Sequence, residues 1–207
     1  MSDILDAHPI VPVVAIERPE TAVPLAKALA RGGINAIEIT LRTELAVEAI
    51  RAVKADCPDM LLGVGTILTP KDVELSAGLG ADFLVSPALA PKLQDALLAT
   101  GIPTMPGTSS PTEALSAFEA GFEILKLFPA GAVGGVDLLK GINAPMPLLK
   151  FMPTGGVRPS NVVDYMSLPN VVACGGTWVA KSADISAEKF DQIEQNAREA
   201  MALVAEL

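Results

Sequence analysis

Glu123-Ile124-Leu125-Lys126-Leu127-Phe128-Pro129 is the stretch from which both the fold and the chemistry of this chain can be read outward. Five of its seven residues are apolar and the run stops at a proline, as a buried strand does at its end. The lysine in the middle is out of place, because lysine is almost never fully buried unless something compensates for its charge. Water-poor surroundings disfavour an ammonium ion and favour the free amine, a nucleophile near neutral pH. Two readings of Lys126 stand at this point. It is an internal amine that condenses with a carbonyl compound as a Schiff base, or it points outward and snorkels past a helix.

Similar short apolar runs recur on both sides: Ile10–Ile16, Ala36–Thr40, Leu61–Gly65, Phe83–Ser86, Ile102–Met105, Ile124–Phe128, Leu149–Thr154 and Val171–Gly175. Ala- and Leu-rich segments with helical spacing lie between them. Thr69-Pro70-Lys71-Asp72 and Ser110-Pro111-Thr112-Glu113 each place a hydroxyl at a helix cap, Pro in the first turn and an acid at the third position. Gly32-Gly33, Gly78 and Gly101 suit helix ends. Pro24 interrupts the first helical segment and either kinks it or marks its true start. Ser186 to Leu207 reads as one long amphipathic closing helix, and the residues before Ile10 as a short N-terminal extension.

Strand ends recur roughly every 20 to 26 residues, one strand plus one helix each time. Eight such units in a chain of 207 residues predict an α/β fold, a single (β/α)8 TIM barrel over residues 1–207. The competing doubly wound open sheet lacks support, since no Gly-x-Gly-x-x-Gly turn follows the first strand.

The net charge is −9, with no basic run and few aromatics, which argues against a nucleic-acid partner. Apolar runs are broken well short of about 18 residues, so no membrane span is expected. The start carries Asp3 and Asp6 and does not read as a signal peptide. The two cysteines, Cys57 and Cys174, are far apart and suit a reduced, cytoplasmic protein. The single histidine, His8, leaves neither a metal-ligand set nor a Ser-His-Asp triad to expect, and the chemistry falls to Lys, Glu, Asp, Arg or hydroxyls.

In a barrel of this kind the reacting groups sit at the C-terminal ends of the strands. Strand alternation turns Ile37, Ile39 and Leu41 toward helices, Glu38 and Thr40 toward the interior, and sets Arg42 near the mouth. The same count puts Ile124, Lys126 and Phe128 on one face. An inward glutamate is costly unless paired; Arg42 is one partner for a purely structural ion pair, and Lys126, within reach by level, is the other. The pair with Lys126 either serves structure alone, as an internal ion pair, or runs Schiff-base chemistry with the carboxyl carrying protons. Lys150, the rival lysine, lies deeper, near the barrel floor. Thr154-Gly155-Gly156 and Cys174-Gly175-Gly176-Thr177 close the last two strands, where this fold usually holds phosphate, and glycine lets backbone N–H groups approach an anion closely. Gly63-Val64-Gly65-Thr66 adds a hydroxyl at the mouth.

Glu38-Ile39-Thr40-Leu41-Arg42-Thr43, Gly63-Val64-Gly65-Thr66, Ser86-Pro87, Lys126-Leu127-Phe128-Pro129-Ala130, Pro153-Thr154-Gly155-Gly156 and Gly175-Gly176-Thr177-Trp178 together resemble the 2-keto-3-deoxy-6-phosphogluconate (KDPG) and 4-hydroxy-2-oxoglutarate aldolase family. The resemblance runs in order from about Val11 to the final helix. It implies a homotrimeric class I aldolase of the Entner–Doudoroff pathway, without metal or other cofactor, that splits the phosphorylated keto-acid into pyruvate and glyceraldehyde 3-phosphate. By the same resemblance Lys126 is the Schiff-base lysine and Glu38 the proton-transfer residue. Arg42 and Thr66 hold the pyruvyl carboxylate, Pro87 and Phe128 line the pocket, and Thr154 steadies that end of the substrate. Gly155, Gly156, Gly175, Gly176 and Thr177 approach the phosphate. Many members carry Ser where this chain has Thr177, and the loop from Ala130 to Gly135 lacks an acid found in some. The galactonate epimer of the substrate, a non-aldolase phosphate-binding barrel enzyme such as an isomerase, and a non-catalytic sugar-phosphate binder are the alternatives.

Overall fold

Runs that are apolar on both faces belong in parallel strands covered on both sides, and the chain folds accordingly. The computed structural model describes residues 2–205 and 207, with side-chain surroundings from residue 4 onward. Nine strands follow in order: β1 (Ile10–Val14), β2 (Ala36–Thr40), β3 (Leu61–Gly65), β4 (Phe83–Val85), β5 (Thr104–Met105), β6 (Gly107–Thr108), β7 (Ile124–Leu127), β8 (Lys150–Pro153) and β9 (Cys174–Gly176). The helices are α1 (Ala22–Arg31), α2 (Ala46–Asp56), α3 (Pro70–Gly78), α4 (Pro91–Thr100), α5 (Pro111–Glu119), α6 (Gly135–Asn143), α7 (Val162–Met166), α8 (Ser182–Ser186) and α9 (Phe190–Val204).

All strand pairs are parallel, in a six-stranded sheet of order β5-β4-β3-β2-β1-β9 and a three-stranded sheet of order β6-β7-β8. The eight strands read from the sequence become nine because Pro106 splits the fifth. Proline has no N–H to give a ladder, but its carbonyl still accepts from Lys126 N–H at 2.9 Å. At the other edge, isolated parallel bridges Phe151↔Val171 and Thr154↔Gly175 link β8 to the ninth strand and the residues before it.

Alternation sorts the side chains into two cores. Ile10, Ile37, Ile39, Leu62, Val64 and Leu125 meet the helices in the larger one. Val11, Ala36, Phe83, Val85, Met105, Ile124 and Met152 come from both sheets to form the smaller, and Leu5 of the N-terminal 3-10 turn packs into it. Each fully buried Leu or Ile contributes roughly 1.5–3 kcal/mol. Gly63 is what admits Phe83, since a Cβ there would fall on the Phe83 ring.

The helix starts follow local chemistry. Thr69 and Asp72 form a complete capping box at α3, and Ser110 accepts the Glu113 N–H at α5. Pro24 sits in the first turn of α1, where its missing N–H would have had no partner, so it marks the start and not a kink. The closing helix departs from expectation. It begins at Phe190, not Ser186, because Glu188 adopts a left-handed φ of 55°. Glu188 N–H donates to Ile185 O at 3.0 Å and Lys189 N–H to Asp184 O at 2.9 Å, a Schellman closure that ends the short α8. The helix α9 then lies close on α1 at Gly32, where a Cβ would strike Ala197, and Arg31 meets Glu194 at 2.6 Å. Among the described residues, no helix is long and apolar enough to cross a membrane.

Candidate active site

Adjacent parallel strands bring their C-terminal ends to one side of a sheet, and the polar residues of this chain gather there. Glu38 lies inward on β2, opposite Gly63 of β3, and Lys126 inward on β7, between Gly107 of β6 and Met152 of β8. Lys126 Nζ donates to Glu38 Oε1 at 3.4 Å, with side-chain exposures of 3% and 0%. The pair is therefore internal, and the outward, snorkelling reading of Lys126 is set aside. Nζ also stands 5.2 Å from the centroid of the Phe128 ring, within cation–π range. Thr108 Oγ1 donates to Lys126 O at 3.2 Å and steadies the strand behind it.

Room for the glutamate comes from Gly65, since a Cβ at that position would fall on the Glu38 carboxylate. The second carboxylate oxygen, Oε2, is buried and has no partner. An unmet acceptor in such surroundings is costly.

The remaining candidates occupy the same rim. Arg42 follows β2, and its Nε donates to Thr66 Oγ1 at 3.0 Å across to the end of β3. Thr66 has φ = 62°, an outlier for a β-branched residue. Such strain persists where the surrounding structure imposes it and is frequent at functional sites. Pro87 and Phe128 line one cavity of about 410 Å³, shared with Gly107, Ser109 and Glu113. Ser109 donates to the Glu113 carboxylate through its N–H and its hydroxyl, at 2.6 and 2.7 Å. Those bonds hold the Glu113 carboxyl below the usual carboxylate range, with the Ser110 contacts adding to the effect against partial burial.

Thr154 directly follows β8 with its hydroxyl buried and unpartnered, and Gly175 beside it leaves the space, since a Cβ there would meet Thr154 Oγ1. Gly155 and Gly156 take left-handed φ values of 87° and 90°. Gly155 packs under the Phe128 ring, and Gly131 lies against Gly156. Gly176 makes room for the Trp178 ring, and Thr177 is exposed just after β9. Lys150 sits at the start of β8, two residues below the level of Lys126, and donates to Pro169 O at 2.8 Å. Among the described residues, no group of three or more His, Cys, Asp or Glu side chains is placed to hold a metal ion.

Sequence reasoning overlooked what the glycines at 65 and 107 do. Gly107 lets the Pro87 main chain pass, as Gly65 lets the carboxylate pass. Their signal was available as glycine at inward strand positions, where a pleated, packed face would otherwise carry a side chain. It also missed three buried polar atoms without partners, Ser86 Oγ, Asn170 Oδ1 and Trp178 Nε1.

A buried lysine against a buried glutamate at the strand ends of a parallel α/β protein defines a site able to do carbonyl chemistry through an amine nucleophile. Residues 1–196 match the model of the KDPG and KHG aldolase family, and the chain belongs to that family. It is 39% identical to the 2-dehydro-3-deoxy-phosphogluconate aldolase of Treponema pallidum (strain Nichols) over 98% of this chain and 96% of that one. It is 41% identical to the KHG/KDPG aldolase of Escherichia coli (strain K12), over 96% of this chain and 93% of that one. Among solved structures it resembles KDPG aldolase from Legionella pneumophila, with a TM-score of 0.92, 36% identity and coverage of 95% and 96% of the two chains. In that crystal, pyruvate was captured at low pH as a covalent carbinolamine intermediate.

Proposed function

We propose that this protein is a class I aldolase that cleaves 2-keto-3-deoxy-6-phosphogluconate to pyruvate and glyceraldehyde 3-phosphate, and that it also accepts 4-hydroxy-2-oxoglutarate. The observation that carries the reading is the buried contact of 3.4 Å between Lys126 Nζ and Glu38 Oε1. The carbinolamine trapped in the Legionella relative supports the covalent route.

In this mechanism the free amine of Lys126 attacks the C2 ketone and forms a carbinolamine. Loss of water, with Glu38 delivering the proton, gives the iminium. A base then takes the proton of the C4 hydroxyl, the C3–C4 bond breaks, and its electron pair moves toward the iminium nitrogen. The aldehyde leaves and an enamine remains. Protonation at C3 and addition of water release pyruvate and restore the amine. Glu38 Oε2, buried without a partner, is the oxygen available to relay these protons.

Arg42 and Thr66, bonded to each other at 3.0 Å, form the clamp for the substrate carboxylate. Pro87, Phe128 and Thr154 shape the pocket, and Gly155, Gly156, Gly175, Gly176 and Thr177 receive the phosphate. The two parallel sheets, continuous through Pro106 and bridged at Phe151↔Val171 and Thr154↔Gly175, support the reading of residues 1–207 as one closed (β/α)8 barrel. The proposal carries a cytoplasmic homotrimer with it.

The test is sodium borohydride reduction in the presence of pyruvate, followed by peptide mass spectrometry. A single adduct on Lys126 is expected, together with loss of turnover in Lys126→Ala. An adduct on another residue, or none with active protein, sinks the mechanism.

A further inference from the structure

Backbone amides at a glycine turn carry only partial charges, whereas a phosphate monoester carries close to two full ones at neutral pH. A cation near the turns Gly155-Gly156 and Gly175-Gly176 would change what the site prefers. In a chain of net charge −9, several basic side chains are already committed: Arg18 to Glu20 and Glu188, and both Arg31 and Arg198 to Glu194. Arg42 is bonded to Thr66. Arg158 is exposed and no described carboxylate pairs with its guanidinium, although it follows Gly156 by only two residues.

The main chain of Arg158 is fixed. Its N–H donates to Asn161 Oδ1 at 2.9 Å, while Asn161 Nδ2 donates to Gly156 O at 3.1 Å. The N–H groups of Asn161 and Val162 both donate to Arg158 O at 3.0 Å. Asn161 thus staples Arg158 to the Gly155-Gly156 turn. Burial raises the Tyr165 phenol above the ordinary value, Cys174 adds to the rise, and the Arg158 guanidinium opposes both. The phenol oxygen would be 2.6 Å from a Cβ on Gly135, and the Cα of Gly131 would be 3.2 Å from one on Gly156. Arg158, the Gly155-Gly156 turn and the loop after β7 therefore share one corner of the strand-end face.

We propose that Arg158 is a specificity-determining residue, whose guanidinium pairs with the distal phosphate of a keto-acid seated on Gly155 and Gly156 and so favours phosphorylated over unphosphorylated substrates, an inference that rests on the aldolase reading above. A planar fork of donors suits a phosphate, and an exposed pair of this kind is screened by salt.

The experiment compares kcat/KM for 2-keto-3-deoxy-6-phosphogluconate and 4-hydroxy-2-oxoglutarate at low ionic strength in the unaltered protein, Arg158→Gln and Arg158→Lys. The ratio of the two values is expected to fall about fivefold in Arg158→Gln, the scale of an exposed ion pair. Arg158→Lys should recover a large part of it, and inhibition by inorganic phosphate should weaken in step with the ratio. An unmoved ratio in Arg158→Gln overturns the proposal, including the case in which both substrates suffer alike, which marks a structural role. Borohydride trapping with pyruvate separates the two levels. An adduct with an unmoved ratio defeats the role of Arg158 alone, whereas no adduct in the unaltered protein defeats the aldolase reading and this inference with it.

Discussion

Gly65 and Glu38 occupy one space: a Cβ on the glycine would fall on the carboxylate of the glutamate. The two lie on adjacent parallel strands, with Glu38 opposite Gly63 and Thr40 opposite Gly65. The glutamate leans along its strand toward the mouth and uses room that any other residue at position 65 would fill. That room sets the acid 3.4 Å from Lys126 Nζ.

Gly65→Ala is therefore expected to displace the carboxylate and to lower kcat about 10²-fold, the scale of a misplacement of about 1 Å in a reacting group. Gly63→Ala, which would strike the Phe83 ring instead, should cost stability of about 1–3 kcal/mol. Steady-state kinetics and urea unfolding on both variants separate the effects. Equal activity loss in the two would mean that Gly65 acts through folding alone.

The buried pair makes a prediction about stability. Lys126→Met strands the Glu38 carboxylate, already short of a partner on Oε2, in a site with 0% exposure. The expected loss is about 3 kcal/mol, and adding Glu38→Leu should return most of it, because two apolar groups leave no unpaired charge. Denaturant unfolding of both singles and the double gives the coupling. Strict additivity would show that the two residues do not interact energetically.

Thr66, at a left-handed φ of 62°, is where substitution tests the proposed carboxylate clamp. Thr66→Gly relaxes a φ of 62° and removes the hydroxyl that accepts from Arg42 Nε. Unfolding free energy should rise by about 1 kcal/mol, while KM for the keto-acid rises severalfold. Thr66→Ala keeps the strain and should show the same KM change without the gain. A KM untouched in both removes Thr66 from the carboxylate clamp.

Acid sensitivity is expected at Glu113. Its carboxyl is lowered chiefly by the Ser109 hydroxyl and N–H, so the folded state binds its proton less readily than the unfolded chain. A depressed acid contributes stability that is fully present above the unfolded value of about 4.3 and is lost as pH falls through the lower folded one. Glu113→Gln should flatten that part of the acid limb and leave thermal stability less changed in its dependence on pH below about 5. An acid limb identical to that of the unaltered protein would contradict this.

Much of the site was legible because the relevant rules are local. Alternation along Ile37–Leu41 and Ile124–Phe128 put Glu38 and Lys126 inside, as the structure has them. Thr69 and Ser110 announced their helices by contacts within four residues. The closing helix was expected and is present, but its start was placed too early, since nothing in the apolar pattern signals a left-handed Glu188.

By itself the sequence determined the parallel α/β repeat, the inward placement of the lysine and glutamate, and the glycine turns after the last strands, all through chain geometry over a few residues. Only the tertiary structure decided that Lys126 and Glu38, 88 residues apart, meet. It alone decided that Gly65 makes the room, that Pro106 divides a strand, and that Arg158 is stapled beside Gly156. Those outcomes depend on strand register and on how closely side chains from distant segments can pack, and a linear pattern carries neither.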